Sequence, residues 1–208
     1  MRIGMIGSGK IGSTLAGHFV RVGHDVAVSN SRGPETLAGL VVELGPRARA
    51  MTAAEAARYG DIAVVTVPFG RYRTVPIDGL DGKVVIDTNN YYPGRDGQFA
   101  ELDEDRTTSS EMLAAHLAHA RVVKAFNAIY WEHLRDSARP SGAPDRIAIP
   151  ISGDDPEAKS LVGALIDQIG FDPVDLGTLA VGGRKHQPGM RLYTADLPAA
   201  EVRRLADV

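Results

Sequence analysis

Three glycines near the start of the chain have the spacing that lets a backbone bind phosphate. Gly7, Gly9 and Gly12 form a G-x-G-x-x-G turn between an apolar run, residues 2–6, and a helical pattern that begins at Ile11. Glycine there allows the backbone to approach a pyrophosphate, and the N–H groups and dipole of the following helix stabilise its charge. The spacing therefore predicts a dinucleotide site at this turn.

Polar residues at the end of the next predicted strand indicate which dinucleotide binds. The strand of residues 25–29 ends in the sequence Ser29, Asn30, Ser31, Arg32. The ribose is read about 20 residues after the glycines, where an NAD site usually has a carboxylate. An arginine can instead hold a 2′-phosphate through charge-assisted hydrogen bonds. The sequence predicts NADP rather than NAD.

A competing motif overlaps the glycine turn. Gly4 to Lys10 spells G-x-x-x-x-G-K, the pattern of a loop that binds nucleoside triphosphates. Ile11 stands where that loop needs a Ser or Thr to bind magnesium, and Gly4 lies inside the predicted strand. The triphosphate interpretation is therefore rejected.

The composition limits the classes of partner. The chain has 208 residues, of which 44% are apolar and 24% charged, with a net charge of −3 and no cysteine. These values are typical of a globular protein without disulfides or thiolate metal sites, and the absence of a basic run argues against nucleic acid as a partner. No apolar stretch approaches the ~20 residues that span a bilayer, and glycines interrupt any signal peptide. We expect no membrane association and a cytoplasmic location.

The elements that position these residues alternate between strand and helix. Such alternation predicts an α/β fold: a doubly wound Rossmann domain with a mostly parallel sheet covered on both faces and a small C-terminal extension. We expect one NADP-binding domain, residues 1–208, in which residues 180–208 form the extension. The predicted strands are residues 2–6, 25–29, 48–51, 61–68, 83–87, 121–126, 147–152 and 171–176. The predicted helices are residues 11–22, 34–44, 53–58, 109–118 and 155–170, with Thr52, Ser109 or Ser110, and Asp154 or Asp155 as N-caps.

Two stretches lack any period. Residues 91–108 and 135–146 are predicted to be loops, the first of them mobile and close to the site.

Ligands of open α/β sheets bind at the carboxyl ends of the strands. The residues predicted there are 7–12, 29–32, 66–70, 88–90 and 124–129. The side chains of Asn89 and Asn90 can hydrogen-bond the nicotinamide carboxamide or its ribose, or they can form an ordinary turn. Lys124 either contacts the ligand or extends to the surface from an apolar strand.

Four motifs carry a resemblance to a known family. They are residues 7–12, 29–32, 82–89 and 122–127, and the later segment 187–193 fits short members. Over nearly its whole length the chain resembles the dinucleotide-binding enzymes related to the coenzyme F420-dependent NADP reductases. The resemblance implies NADP(H) as cofactor, hydride transfer to or from the deazaflavin F420, and a homodimer.

The motifs and the resemblance together predict the site residues, none of them catalytic. The cofactor-binding residues are Gly7, Ser8, Gly9, Lys10, Ile11, Gly12, Ser29, Asn30, Ser31, Arg32, Thr66, Val67, Pro68, Phe69, Thr88, Asn89, Lys124, Ala125 and Asn127. The substrate-binding residues are Asn127, Ala128 and Ile129. The archaeal reductases have a histidine where this chain has Asn127, and a longer helical C-terminus. Both departures count against the assignment of the deazaflavin as substrate and leave the assignment of NADP as cofactor unaffected.

Other interpretations of the site stay open. A flavin is an alternative hydride partner, because the family includes reductase domains of membrane ferric reductases. A reductase of small carbonyls or imines needs a proton donor; no Tyr-x-x-x-Lys pair is present, and Lys124 with Asn127 is the best polar pair. A sensor that binds NADPH without catalysis is the third.

Several further side chains have two interpretations each. His116 and His119 are spaced as zinc ligands on a helix, but a solvated helix face is favoured and no metal site is predicted. Tyr91, Tyr92 and Trp131 can wall a pocket for an aromatic ring or pack in the core, and Lys185 with His186 can touch a substrate or follow a flexible Gly-Gly pair.

Overall fold

A single eight-stranded sheet runs through the computed structural model, which describes residues 1–207. The strands are β1 (Arg2–Ile6), β2 (Asp25–Ser29), β3 (Ala48–Ala50), β4 (Ile62–Val65), β5 (Val84–Asp87), β6 (Arg121–Lys124), β7 (Ala148–Gly153) and β8 (Asp172–Asp175). They lie in the order β3-β2-β1-β4-β5-β6-β7-β8. Only the β6–β7 pair is antiparallel. The predicted doubly wound, mostly parallel α/β fold is confirmed.

Helices cover both faces of this sheet. They are α1 (Lys10–Arg21), α2 (Ala38–Leu44), α3 (Ala53–Tyr59), α4 (Pro93–Asp96), α5 (Ala100–Asp103), α6 (Ser109–His116), α7 (Trp131–Asp136), α8 (Pro156–Gln168), α9 (Gly182–Lys185) and α10 (Ala199–Ala206), with 3-10 helices at Pro34–Leu37 and Phe69–Thr74. Alternate strand residues face opposite sides, which creates two buried clusters. Leu15 of α1 and Val162 of α8 belong to one, and Leu113 of α6 belongs to the other.

Two of the predicted helix N-caps are confirmed and one is wrong. Thr52 caps α3 in a capping box with Glu55, and Asp155 caps α8. The predicted cap of α6 by Ser109 or Ser110 is wrong, because Thr108 is the cap and forms its own capping box with Glu111. The hydroxyls of the two serines instead accept hydrogen bonds from a buried lysine, described below.

The segment predicted as a loop over residues 91–108 contains two short helices, α4 and α5. Aromatic packing holds it, since the ring of Phe69 lies 5.8 Å from Tyr91 and 5.2 Å from Phe99. Helices of four residues carry no detectable period, and so the prediction of an irregular stretch is wrong here. Similarly, α7 extends into the second predicted loop, and the predicted helix over 34–44 begins as a 3-10 turn.

The last segment packs at the far edge of the sheet. Val202 and Ala206 of α10 join a buried cluster with Val174 and Leu176. A single domain with residues 180–208 as its extension stays a prediction, and residue 208 lies outside the described residues. Within residues 1–207, no helix combines the length and the apolarity needed to cross a membrane.

Candidate cofactor and substrate site

The glycine turn between β1 and α1 has room for backbone only. Gly7 has φ +114°, and a Cβ there would lie 2.2 Å from the carbonyl oxygen of Thr66. A Cβ on Gly12 would lie 2.4 Å from the carbonyl oxygen of Gly7. At Gly9, by contrast, a Cβ would meet no atom within 4 Å. The outer glycines are therefore required for packing, whereas Gly9 faces open space.

The N-terminus of α1 is left free for an anion. Gly9 is its N-cap and supplies no side-chain hydrogen bond, and the first turn contains no acidic residue. Ser13 is the first residue whose N–H bonds back to Gly9. Preceding N–H groups of a helix need an external partner, and the helix dipole favours a negative one.

The four residues at the end of β2 all border the cleft, and two of them also build the turn. The hydroxyl of Ser29, which is fully buried, donates to the carbonyl of Met5 at 2.7 Å. The Asn30 side-chain oxygen accepts from the backbone N–H groups of Arg32 and Gly33. Ser31 and Arg32 are exposed and line the cleft beside the glycines. Their position thus depends on the buried contacts of Ser29 and Asn30.

A cleft of about 830 Å³ extends from this turn across the ends of β1, β2 and β4. It is lined by Ile6, Gly7, Ser8, Gly9, Ser29, Asn30, Ser31, Arg32, Ala53, Thr66, Val67, Pro68, Gly70, Arg71, Thr74, Arg95 and Asp96. Its cations are Arg32, Arg71 and Arg95; its one carboxylate, Asp96, pairs with Arg95 at 2.8 Å. The remaining positive charge suits a ligand with several phosphates.

A second pocket, of about 320 Å³, continues this cleft over the ends of β5 and β6. It is lined by Lys10, Ile11, Thr66, Val67, Pro68, Thr88, Asn89, Asn90, Tyr92, Arg95, Phe126, Asn127, Ile129, Tyr130, Trp131, Tyr193 and Thr194. Thr66, Val67, Pro68 and Arg95 border both spaces. The two spaces therefore meet end to end. We name the second one the aromatic pocket, after its five aromatic side chains.

The residues following β5 include a buried hydrogen-bond donor at the edge of the aromatic pocket. The Thr88 hydroxyl donates to the carbonyl of Val65 at 3.1 Å, and the Asn89 side-chain oxygen accepts from the N–H of Val67 at 3.1 Å. Asn89 is 3% exposed, and its side-chain nitrogen has no hydrogen-bond partner among the described residues. A buried amide donor held in this way favours a polar ligand atom.

Asn127 lines the aromatic pocket, and its side-chain amide connects the segments of Asn90 and His186. Its side-chain nitrogen donates to Asn90 Oδ1 at 3.1 Å and to the carbonyl of His186 at 2.8 Å. The preceding Phe126 has φ +61°, a strained conformation of the kind that accumulates at functional sites. Of the other two predicted substrate residues, Ile129 lines the pocket and Ala128 does not; the Ala128 carbonyl accepts from Thr194 N–H.

Apart from Gly12 of the glycine turn, three predicted cofactor residues lie beneath the site. Lys124 is 1% exposed, and its ammonium donates to Asn89 O at 3.1 Å and Ser110 Oγ at 3.0 Å. Burial lowers its pKa, which the nearby Asp87 carboxylate opposes. Ala125 and Phe69 are fully buried. None of the three lines the cleft or the pocket. The alternative in which Lys124 extends to the surface is wrong, because its side chain is buried. Lys124 supports the Asn89 backbone.

Sequence reasoning missed several residues of the site, and four of them have large polar side chains. Arg71, Arg95, Tyr130 and Tyr193 line it, and they come from a 3-10 helix, a short helix and two loops. Arg71 follows three positions after Pro68, and that proximity to a predicted strand end was the only available signal.

The three aromatic side chains that had two interpretations occupy different places. Tyr92 and Trp131 line the aromatic pocket, whereas Tyr91 packs on Phe69 and Phe99. The ammonium of Lys10 lies 4.7 Å from the Trp131 ring centroid. His116 donates from Nε2 to the Val75 carbonyl, and no cluster of metal-ligating side chains occurs in the part of the chain that the structure describes.

His186 is a buried histidine whose neutral form the fold requires. It has no exposed surface, and Nε2 is hydrogen-bonded to Ser152 Oγ at 3.0 Å. Burial, and then the charge of Lys124, hold its pKa well below 6.5. Neither of the two sequence interpretations, substrate contact or flexibility, applies to its side chain.

Acid should therefore destabilise the protein through His186. Below pH 6.5 the His186 side chain binds a proton in the unfolded chain but not in the folded chain. This difference lowers the free energy of unfolding by at most about 2 kcal/mol between pH 6.5 and pH 5. Urea unfolding at the two pH values measures this loss. His186→Gln, which can retain the Ser152 bond, should lose less, whereas exposed His119→Gln should match the wild type. An unchanged pH dependence in His186→Gln would assign the loss to other groups.

The chain matches one known protein family and is similar in sequence to two characterised or named proteins. Residues 2–91 match the family described as NADP oxidoreductase, coenzyme F420-dependent. The metalloreductase STEAP3 of Rattus norvegicus is 32% identical over 181 residues, which cover 86% of this chain and 34% of that protein. The protein YjhV of Escherichia coli K12 is 37% identical over 65 residues, 31% of this chain and 47% of that protein. The chain thus spans between a third and half of the length of these two relatives.

Solved structures share the fold over most of the chain. The Sinorhizobium meliloti protein SMa0349, whose name assigns no activity, is 30% identical with a TM-score of 0.82 over 95% of both chains. A candidate F420-dependent NADP reductase from Arthrobacter sp. FB24 is 26% identical, with a TM-score of 0.73 over 86% of both. An imine reductase from Myxococcus stipitatus covers 99% of this chain and 60% of its own, with a TM-score of 0.61 at 17% identity, and shows the fold alone.

Proposed function

We propose that this chain, which belongs to the family of coenzyme F420-dependent NADP oxidoreductases, transfers hydride between NADP(H) and the deazaflavin F420. The observation that carries the proposal is the end-to-end arrangement of a cationic cleft and an aromatic pocket at the carboxyl edge of one sheet. A dinucleotide and a flat ring can lie there in contact.

The cleft supports the cofactor half of the proposal. The pyrophosphate would meet the free N–H groups at the start of α1, over Gly9, and the 2′-phosphate would lie beside Ser31 and Arg32. Arg71 lines the same end and is free of salt bridges within residues 1–207. Thr66 to Pro68, which border both spaces, would lie under the middle of the dinucleotide.

The aromatic pocket supports the second half. In this fold the nicotinamide lies on the side of β4 to β6, and the fixed side-chain nitrogen of Asn89 can donate to its carboxamide or ribose there. Asn127 and Ile129 would border the second ring, and Tyr130 and Trp131 line the same pocket. NADPH supplies the hydride, and the protein supplies proximity and orientation of two rings. The pocket contains no Asp, Glu or His among its described lining residues.

A flavin as the second ring is the alternative that one observation favours. The match to the rat metalloreductase covers 86% of this chain, and the resemblance implies a flavin beside NADPH in reductases of that type. Asn127, in place of the histidine of the archaeal F420 reductases, fits either ring. A homodimer and a cytoplasmic location stay predictions.

Anaerobic mixing of the purified protein with NADPH and F420 tests the proposal. Loss of the oxidised deazaflavin absorption should be fast with NADPH and slow with NADH, because only the first carries the 2′-phosphate. FMN in place of F420 tests the alternative in the same cuvette. NADPH binding without bleaching of either ring would overturn both assignments and leave a small carbonyl or imine, or a sensor without chemistry.

A further inference from the structure

Two tyrosine hydroxyls meet at the wall of the aromatic pocket. Tyr92 follows β5 and Tyr193 lies in the C-terminal segment, yet their hydroxyl oxygens are hydrogen-bonded to each other. Both side chains are half-buried and both line the pocket. The remaining ionisable lining residues are Lys10, Arg95 and Tyr130. The pair is therefore the one place in the described pocket where two phenols act together.

The pair holds one more proton than its internal bond uses. Each phenol has one O–H, and a single O–H···O bond between them uses one proton, so the accepting hydroxyl keeps its own proton for another partner. Burial, and then the hydrogen bond with Tyr92, raise the pKa of Tyr193, which keeps it protonated at neutral pH. The Arg95 guanidinium lies 4.8 Å from the Tyr92 ring centroid and favours negative charge nearby.

The position of the pair is fixed from both sides. Asp96 accepts a hydrogen bond from the backbone N–H of Tyr92 at 2.9 Å and also holds Arg95. On the other side, Leu192 is buried and the N–H of Thr194 donates to the Ala128 carbonyl at 3.0 Å. The two phenols are thus held at the border of a pocket rather than inside the core, where donors of fixed position can stabilise charge that develops on a ligand.

We propose that the Tyr92–Tyr193 pair is the proton donor to the acceptor ring during hydride transfer. The acceptor gains the hydride at an atom of its central ring, a carbon in a deazaflavin and a nitrogen in a flavin, and the electron pair of its conjugated system moves onto another ring nitrogen or carbonyl oxygen. The free phenol O–H gives its proton to that atom. The phenol oxygen then takes the proton of its partner hydroxyl, which is restored from water through the open pocket. NADPH is oxidised to NADP⁺, and the acceptor is reduced by one hydride and one proton.

The inference rests on the proposed function and specifies its acceptor. The pair fits a flat conjugated ring whose nitrogen or carbonyl oxygen becomes basic as the hydride arrives, which includes deazaflavins and flavins. A metal ion that accepts single electrons takes up no proton, so the tyrosine pair would have no role in its reduction.

Tyr92→Phe and Tyr193→Phe test the inference, because each removes a hydroxyl and keeps the ring. We expect kcat for F420 reduction to fall by about 10- to 100-fold in either variant, since one donor to developing charge contributes on that order. The double variant should lose little more, because the two hydroxyls act as a unit. The affinity for oxidised F420, measured without turnover from its fluorescence in the presence of NADP⁺, should change by less than about 3-fold.

Tyr91→Phe is the matched control. Its hydroxyl also forms hydrogen bonds, to Asp103 and to the N–H of Phe99, but it lies outside the aromatic pocket. Wild-type kcat is expected in this variant.

Two results would overturn the inference in different ways. Normal kcat in Tyr92→Phe and Tyr193→Phe, or a loss confined to F420 affinity, would reduce the pair to a structural contact and leave the proposed function intact. A wild-type protein that binds NADPH but reduces neither F420 nor FMN would overturn both.

Discussion

Gly9→Val should abolish NADPH binding while the protein still folds. Gly9 has φ −70° and ψ −172°, which valine adopts readily, and a Cβ there meets no atom of the protein within 4 Å. The isopropyl group would instead fill the space over the start of α1 where the pyrophosphate is proposed to lie. We expect at least about a 100-fold loss of affinity, with a cost in folding stability near 1 kcal/mol for the weaker N-cap.

Trp131 provides the measurement for this variant. It is the one tryptophan of the chain and it lines the aromatic pocket, so its fluorescence should report the arrival of the dinucleotide. Gly39→Val is the matched control, since Gly39 is exposed on α2, away from the cleft, and a Cβ there would also meet no atom within 4 Å. Retained NADPH affinity in a folded Gly9→Val protein would place the cofactor elsewhere.

Arg32→Ala should weaken the binding of NADPH by about 1–3 kcal/mol and leave the binding of NADH almost unchanged. The guanidinium is exposed at the cleft, and charge-assisted hydrogen bonds to the 2′-phosphate are the only proposed contacts that distinguish the two cofactors. Titration calorimetry with NADPH and with NADH measures the difference directly.

Arg73→Ala controls for the loss of one positive charge. Arg73 is exposed and stacks on Tyr72 outside the cleft, so both cofactors should bind this variant as they bind the wild type. If Arg32→Ala weakened NADPH and NADH equally, Arg32 would contact a part that the two cofactors share, and the assignment of the 2′-phosphate would be wrong.

Features set by neighbours in the chain could be predicted. The G-x-G-x-x-G turn, the apolar run of β1 and the periodicity of α1 each depend on residues within one or two turns of one another. The same holds for the Thr52 cap of α3, where cap and partner are three residues apart. Short elements such as α4 and α5 are different, because four residues give no period and packing on Phe69 holds them.

The sequence predicts where the candidate site lies in the fold, but it does not predict which side chains face the ligand. The strand ends after β1, β2, β4, β5 and β6 do surround one continuous space, because parallel strands bring their carboxyl ends to one edge. Which side chains enter that space depends on burial. The strand-end pattern predicts Ser29 and Lys124 as ligand contacts, yet their polar atoms are used by Met5, Asn89 and Ser110.

The sequence by itself determined the family and the fold class, and it predicts the place where a dinucleotide would meet the backbone. Those depend on local spacing, and glycine has no substitute where a Cβ would overlap a carbonyl, as at Gly7. Only the tertiary structure decided that Tyr92 and Tyr193, 101 residues apart, share a hydrogen bond at the aromatic pocket, and that Lys124 lies beneath it. Contacts between distant residues depend on how the helices and loops pack around the sheet, and a single sequence carries no periodic signal for that packing.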